Sequence, residues 1–158
     1  MEKIPITAKG FREMEAELKN LKTVERGSVI KAIAEAREHG DLKENAEYAA
    51  ARERQSFIEG RILELEGRIA CAEVIEVSKL SGEIVKFGAT VKLIDEDSEE
   101  ECIYQIVGEY EADIKKAMLS ITAPISRALI GKRKGESVEV TTPKGSKSYE
   151  IIEVIFEE

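Results

Sequence analysis

Two acidic residues, Asp41 and Glu44, lie in a short polar run between two long helical patterns. Carboxylate oxygens at this spacing suit Mg²⁺, which proteins commonly bind through one or two carboxylates together with phosphate oxygens and water. In two-metal phosphoryl chemistry, such ligands hold the ion that generates the attacking hydroxide. The turn of a helical hairpin offers no pocket that could hold a substrate or exclude water. The pair is therefore better suited to completing the active site of another protein than to forming one alone.

The same two residues also have a purely structural interpretation. Asp41 and Glu44 are spaced as a capping box, in which Asp41 would be the N-cap of the second helix and Glu44 would occupy position N3. Negative charge at this end of a helix also suits the helix dipole. The pattern alone favours capping, but the two interpretations do not exclude each other.

The elements that would position the pair are two amphipathic helices. Thr7 is a candidate N-cap of the first helix, and apolar residues follow it at spacings of three and four. This apolar stripe shifts by one residue around Gly27, which predicts a local kink or skip, and Gly40 suits the C′ position at the end of the helix. The second helix keeps an unbroken heptad pattern. Its seam positions are Tyr48, Ala51, Gln55, Ile58, Ile62, Leu65, Ile69 and Ala72.

The two stripes can be aligned face to face, which predicts an antiparallel coiled-coil hairpin. Beyond the shift in the first stripe, Ala36 would face Tyr48, so the chain must turn at residues 41–42. A first helix of about 30 residues, rising ~1.5 Å per residue, would be roughly 45 Å long. We therefore predict a coiled-coil arm over residues 1–76 with an acidic tip at 41–44.

The second half of the chain changes to short runs of β-prone residues. Acidic and glycine-containing loops separate these runs, which predicts a small antiparallel sheet. A short helix from Pro124 to Ile130 would have proline in its first turn and Gly131 just past its end. The fold class predicted is α+β, with a sheet domain over residues 77–158 that packs one helix. The predicted strands are Glu83–Phe87, Ala89–Asp95, Cys102–Val107, Ser137–Thr142 and Ser148–Phe156.

Composition limits the classes of function. Charged residues make up 35% of the chain and the formal net charge is −8, which argues against a general DNA-binding surface. The sequence has no apolar run of signal-peptide length at its start, and no segment nears the roughly 18 residues of a membrane span, so we expect a cytoplasmic protein without a membrane partner. Cys71 and Cys102 lie far apart without a second ligand nearby, which indicates free thiols and excludes a zinc site.

Three stretches of the chain share a pattern with one known family. They are the run from Ile33 to Tyr48 around the predicted turn, the segment Phe87–Val91 and the segment Pro124–Lys132. These stretches resemble the GreA/GreB family of bacterial transcript-cleavage factors, and together they reach from residue 33 to residue 132. The resemblance implies that the second half is an FKBP-like domain.

The resemblance also implies a partner and a mechanism. Members of this family insert their coiled coil into the secondary channel of bacterial RNA polymerase, where the acidic tip helps to hold a catalytic Mg²⁺ and the extruded 3′ end of the nascent RNA is hydrolysed. Asp41 and Glu44 match the two acidic positions. The chain would then be no enzyme on its own but would stimulate the polymerase's cleavage activity, acting as a monomer without a stably bound cofactor.

Further residues match contact positions of the family. Arg37, Lys43 and Arg52 flank the tip and would contact the RNA or the polymerase channel. Ser120 and Pro124 align with the region that docks on the outside of the polymerase. For Arg37 and Arg52, pairing with neighbouring glutamates on the helix surface stays an equally open interpretation.

Three other functions stay open from the residues alone. A homologue on the same scaffold could occupy the polymerase without stimulating cleavage, although the intact Asp41 and Glu44 argue against it. A prolyl isomerase or chaperone is compatible with an FKBP-like half, because fold alone does not decide function. Such a protein needs an aromatic-lined apolar pocket, and the second half has few aromatic residues. A purely structural hairpin would show no dependence on divalent metal.

Overall fold

The computed structural model describes residues 2–40 and 45–157, which form two compact units. The helical unit is Phe11–Ala72, and the sheet unit combines Glu2–Gly10 with the residues from Glu73 onward. The boundary predicted at residues 76–77 assigned the first residues of the chain to the arm. The structure differs because strand β1 (Ile4–Thr7) pairs with strand β2 (Ala72–Ile75) in a two-stranded sheet.

A partly buried carboxylate contact holds this first segment within the sheet unit. The Glu111 carboxylate accepts hydrogen bonds from the backbone N–H groups of Thr7, at 2.9 Å, and Gly108, at 2.8 Å, and from the Thr7 hydroxyl. The Thr7 hydroxyl oxygen in turn accepts from the N–H of Gly10 at 3.0 Å. This bond confirms Thr7 as the N-cap of the helix that begins at Ala8.

The described residues of the helical unit, together with the preceding residues 8–10, form three α-helices and one π-helical turn. Helix α1 spans Ala8–Asn20, the π turn Leu21–Glu25, helix α2 Arg26–Arg37 and helix α3 Ala46–Cys71. None of the helices in the described ranges is long and apolar enough to cross a membrane.

The π turn explains the shift in the apolar stripe. The backbone N–H of Arg26, which directly follows the π turn, bonds to the carbonyl of Leu21, five residues earlier. This turn therefore holds one residue more than an α-helical turn. An extra residue rotates every later side chain relative to the earlier stripe. The predicted skip is therefore present, a few residues before Gly27, and it keeps Leu21 and Val29 on the same buried face.

The helices pack in antiparallel orientation through an apolar seam, which confirms the predicted coiled coil. Leu65 and Val29 are fully buried in this seam. Ion pairs on its flanks join early residues of one helix to late residues of the other, as in Arg61–Glu17 at 2.7 Å. The other seam members are Leu21, Ile58 and Ile62, with Met14 and Leu18 packed against them.

The main sheet of the sheet unit has five strands, which are β3 (Thr90–Asp95), β4 (Glu101–Val107), β5 (Met118–Ser120), β6 (Ser137–Thr142) and β7 (Gly145–Ile155). They lie in the order β5-β4-β3-β7-β6. Three neighbouring pairs are antiparallel, while β4 and β5 are parallel, with Ile106 opposite Leu119. The prediction of a wholly antiparallel sheet is therefore wrong at this edge. The segment between Val107 and Met118 crosses back so that the next strand runs in the same direction.

The predicted strand at Glu83–Phe87 is not formed, and only Ile84 makes an isolated bridge, to Arg133. The predicted short helix is present as α4 (Pro124–Leu129), with proline at its start and Gly131 at φ +87° just beyond its end. The core under α4 consists of Val85, Ala89, Val91, Leu93, Ile106, Leu129, Val138, Val140 and Ile151.

Candidate functional site at the hairpin turn

Asn45 begins the second helix of the hairpin. It has an extended backbone, and its side-chain Oδ1 accepts a hydrogen bond from the N–H of Tyr48 at 3.0 Å, which is the geometry of an N-cap. The prediction that Asp41 caps this helix is therefore wrong, because α3 starts at Ala46 and Asn45 occupies the cap position. The predicted site residues Asp41, Lys43 and Glu44 lie outside the described residues.

The end of α2 lies directly across the turn from this cap. The helix ends at Arg37, and the N–H of His39 bonds back to the carbonyl of Ala36 at 3.2 Å. Gly40 has a φ of +112°, in the region that favours glycine. The C-cap is Glu38, so Gly40 lies at C″, one position beyond the C′ that the sequence predicted for it. The Asn45 amide Nδ2 also donates to the Ala36 carbonyl, at 2.6 Å. One side chain thus bonds to both helix ends.

Two arginines lie together on the helical unit beside these helix ends. Arg37 and Arg52 line one cavity of about 230 Å³, with walls from Ile30, Ile33, Ala34 and Gln55. The Arg37 guanidinium carbon lies 5.9 Å from the centre of the Tyr48 ring, within the range of a cation–π contact. The sequence predicted Tyr48 only as a seam residue, and its distance of eleven residues from Arg37 gave no sign of this contact.

Charge pairing distinguishes these two arginines from others on the same unit. Arg26 bonds Glu59 at 2.7 Å and Arg54 bonds Glu25 at 2.6 Å. Among the described ion pairs, none involves Arg37 or Arg52. The alternative of surface pairing with neighbouring glutamates therefore receives no support from the described part of the chain.

The predicted docking residues Ser120 and Pro124 lie in the sheet unit, at the end of β5 and the start of α4. The Ser120 hydroxyl oxygen accepts from the N–H of Thr122 at 3.2 Å, which shapes the short connection between them. Pro124 lies at the rim of a largely apolar cavity of about 350 Å³. The cavity is lined by Pro124, Ile125, Val140, Thr142, Lys144, Gly145, Ser146, Lys147 and Tyr149.

Known proteins match this chain from end to end. The family model described as transcription elongation factor, N-terminal, matches residues 4–74, and that described as transcription elongation factor, GreA/GreB, C-term, matches residues 80–156. A transcription elongation factor GreA of Phenylobacterium zucineum is 66% identical over 154 residues, covering 98% of each chain. The chain belongs to the GreA/GreB family of transcription elongation factors.

Further relatives include a transcription elongation factor GreA of Rickettsia prowazekii, 65% identical over 156 residues, which covers 99% of this chain and 96% of the relative. A solved structure titled prokaryotic transcription elongation factor GreA/GreB, from Nitrosomonas europaea, is 25% identical, with a TM-score of 0.43 and coverage of 98% and 100%. The family assignment rests on the family models and the curated relatives, and it disfavours the prolyl isomerase alternative.

The described residues of this GreA/GreB-family chain contain no group of three or more His, Cys, Asp or Glu side chains that could hold a metal ion. The donor chemistry of the predicted Asp41 and Glu44 pair fits Mg²⁺, which prefers carboxylate oxygens. Two carboxylates make an incomplete coordination shell, so the remaining ligands would have to come from another molecule. Asn45 was not among the predicted site residues, although an asparagine directly before the heptad pattern is itself an N-cap signal.

Proposed function

We propose that this chain binds bacterial RNA polymerase and stimulates hydrolytic cleavage of the nascent RNA 3′ end in backtracked complexes. The curated GreA relatives and the family models support a role in transcription elongation. The observation that carries the catalytic part of the proposal is that Asn45, and not Asp41, caps α3. Because the helix start has its own cap, the acidic pair at Asp41 and Glu44 is not needed for that purpose.

The proposed role of Asp41 and Glu44 is to supply carboxylate oxygens to a Mg²⁺ site that the polymerase completes. When bound there, the ion would activate water and stabilise charge on the transferring phosphate. Mg²⁺ demands a near-ideal octahedral shell, and two carboxylates fill only part of it. We therefore expect the chain alone to bind Mg²⁺ weakly and to leave RNA uncleaved.

Arg37 and Arg52 are proposed to bind phosphate groups of the RNA or acidic groups of the polymerase channel. Both residues line the same cavity, and neither joins a carboxylate among the described ion pairs. A planar guanidinium can donate two parallel N–H bonds to a phosphate. Two such groups beside the turn would hold a nucleic acid end close to the acidic segment.

The sheet unit is proposed to dock on the outer surface of the polymerase through the region of Ser120 and Pro124. The cavity beside Pro124 is large enough for an apolar anchor side chain, and apolar anchors in pockets dominate the energy of most interfaces. Lys144 and Lys147 on its rim suit a partner surface with acidic residues around the anchor.

The test is the addition of the purified chain to a stalled, backtracked elongation complex with Mg²⁺. We expect short RNA 3′ fragments to appear with the chain and polymerase together, and none when naked RNA replaces the complex. Appreciable hydrolysis of naked RNA by nuclease-free protein would contradict a shared site. Binding to the polymerase without release of fragments would instead identify a factor that occupies the channel without stimulating cleavage.

A further inference from the structure

The Asn45 side chain bonds to two helices at once. Its Oδ1 accepts from the Tyr48 N–H at 3.0 Å, which caps α3, and its Nδ2 donates to the Ala36 carbonyl at 2.6 Å, in the last turn of α2. Both bonds are partly buried, and Ala36 itself is only 3% exposed. Partial burial makes such bonds stronger than the same bonds in open water.

Only a carboxamide of this length can make both bonds. Asp, Ser and Thr can accept the capping bond, but Asp has no donor and the hydroxyls of Ser and Thr are on a shorter side chain. Gln carries the same group on a longer side chain and is not among the preferred N-cap residues. The residue type at position 45 therefore determines whether the two helix ends are joined.

Other polar contacts across the turn are weak among the described residues. The His39 Nε2 and Glu47 Oε2 atoms are 3.9 Å apart, and both side chains are mostly exposed. Exposed pairs at this distance contribute little. The Asn45 bonds are therefore the main polar link that the described residues provide between the end of α2 and the start of α3.

The chain between these two bonded ends contains Asp41 and Glu44. We propose that Asn45 is a positioning residue for the stimulated cleavage reaction: by joining the Ala36 carbonyl to the start of α3, it fixes the separation of the two backbone points from which the acidic segment extends. This inference rests on the function proposed above. Carboxylates that share a metal with another protein must arrive at a defined place, because displacement by about 1 Å can reduce a rate by as much as 100-fold.

The test uses variants that keep the cap but lose the second bond. Asn45→Ser and Asn45→Asp both retain an accepting oxygen for the Tyr48 N–H, while neither supplies the donor for the Ala36 carbonyl. Asn20→Ser is the matched control, since Asn20 is the chain's other asparagine and its side chain makes no capping bond. Three quantities are measured for each variant: the melting temperature, the factor concentration that half-saturates the polymerase, and the cleavage rate at saturation as a function of Mg²⁺ concentration.

We expect Asn45→Ser and Asn45→Asp to melt slightly below the wild-type chain, because they lose one hydrogen bond while the Ala36 carbonyl keeps its bond from the His39 N–H. Both variants should half-saturate the polymerase like the wild-type chain. Their saturating cleavage rate should fall by about 10-fold, within the range that misplacement of a reacting group produces, and more Mg²⁺ should be needed for half the maximal rate. Asn20→Ser should match the wild-type chain in every measurement.

Two outcomes would overturn the inference while leaving the proposed function intact. One is a wild-type cleavage rate and Mg²⁺ dependence in both Asn45 variants, which would reduce Asn45 to a helix cap. The other is a loss confined to the half-saturating concentration, which would assign Asn45 to polymerase binding. If the wild-type chain itself releases no fragments in this assay, the proposed function fails, and the positioning role fails with it.

Discussion

Removing the charges of Asp41 and Glu44 separates a catalytic role from a capping role. The amide variant Asp41→Asn/Glu44→Gln is compared with the alanine variant Asp41→Ala/Glu44→Ala. If these residues formed a capping box, the alanine change would destabilise the helix by about 0.5–2 kcal/mol at the cap, while the amides would preserve it. Because α3 begins at Ala46 and is capped by Asn45, we expect the two variants to melt alike.

The expected magnitudes differ strongly between stability and activity. The loss of negative charge near a helix N-terminus costs roughly 0.3–1 kcal/mol per charge at low ionic strength. An amide offers Mg²⁺ a neutral oxygen where the ion needs charge to offset its dehydration. We expect stimulated cleavage to fall by at least about 100-fold in both variants, which corresponds to roughly 2.7 kcal/mol of transition-state stabilisation.

Melting, polymerase binding by competition and cleavage in backtracked complexes are measured on the same preparation of each variant. Both variants should compete for the polymerase like the wild-type chain, so that the lost activity is not lost binding. Cleavage at a near wild-type rate by a normally melting amide variant would show that the carboxylates have no catalytic role. A melting temperature that falls only in the alanine variant would show that they cap a helix after all.

Three further predictions test other parts of the molecule. Arg37→Ala with Arg52→Ala should weaken stimulated cleavage while lowering stability by no more than about 1 kcal/mol, the scale of the lost Arg37–Tyr48 cation–π contact, since neither arginine joins a described ion pair. Reversal of charge at Arg54, which bonds Glu25, serves as the stability comparison. The hydrogen bond from Arg61 lowers the pKa of Glu17 below its ordinary value of 4.5. The stability that this pair gives is therefore present above pH 4.5 and is lost as the pH falls through the lowered pKa. Arg61→Ala should lower the free energy of unfolding at neutral pH and make it fall less steeply with pH on acidification, as measured by denaturant unfolding at several pH values. Glu111→Ala should destabilise the sheet unit by about 1–3 kcal/mol in denaturant unfolding, because it leaves two backbone N–H donors without their acceptor, whereas a change below about 0.5 kcal/mol would contradict the anchoring role of this carboxylate.

The helical half of the fold could be predicted because its signal repeats. Apolar residues at spacings of three and four recur along both helices, so many positions support the same helical pattern. Even the one-residue shift was visible, and the π turn at Leu21–Glu25 is its physical form. The structural form of this shift could not be predicted, because a kink, a skip and a π turn all shift the apolar positions by the same one residue.

The sheet half was harder to predict because several of its strands are too short for a period to be seen. Strands β1 and β5 contain four and three residues, and β5 also runs parallel to its neighbour. Its direction depends on how the preceding connection crosses the sheet edge, which is a matter of tertiary packing. The segment around Val85 was misassigned because an apolar run buried in a core resembles a strand.

The cap of α3 shows why the site was only partly predictable. Asp41 and Asn45 are both good N-cap residues by type, but the capping-box spacing pointed to Asp41. The choice depends on a bond outside the helix: the Asn45 amide donates to the Ala36 carbonyl, and an aspartate in its place would have no hydrogen to donate. A capping pattern read along one helix cannot reveal a donor that serves the neighbouring helix.

The distribution of charge along the helical unit gives these assignments a common physical basis. Described ion pairs such as Arg61–Glu17 and Arg26–Glu59 join the two helices along their length, so opposite charges there largely cancel. Near the turn, Arg37 and Arg52 border a cavity without a described ion pair, although the whole chain has a net charge of −8. In a chain with this net charge, exposed arginines are the groups that would attract a phosphate, which is the role proposed for Arg37 and Arg52. Cleavage that depends on the Arg37 and Arg52 pair should therefore weaken as salt rises, because screening acts most strongly on exposed charges.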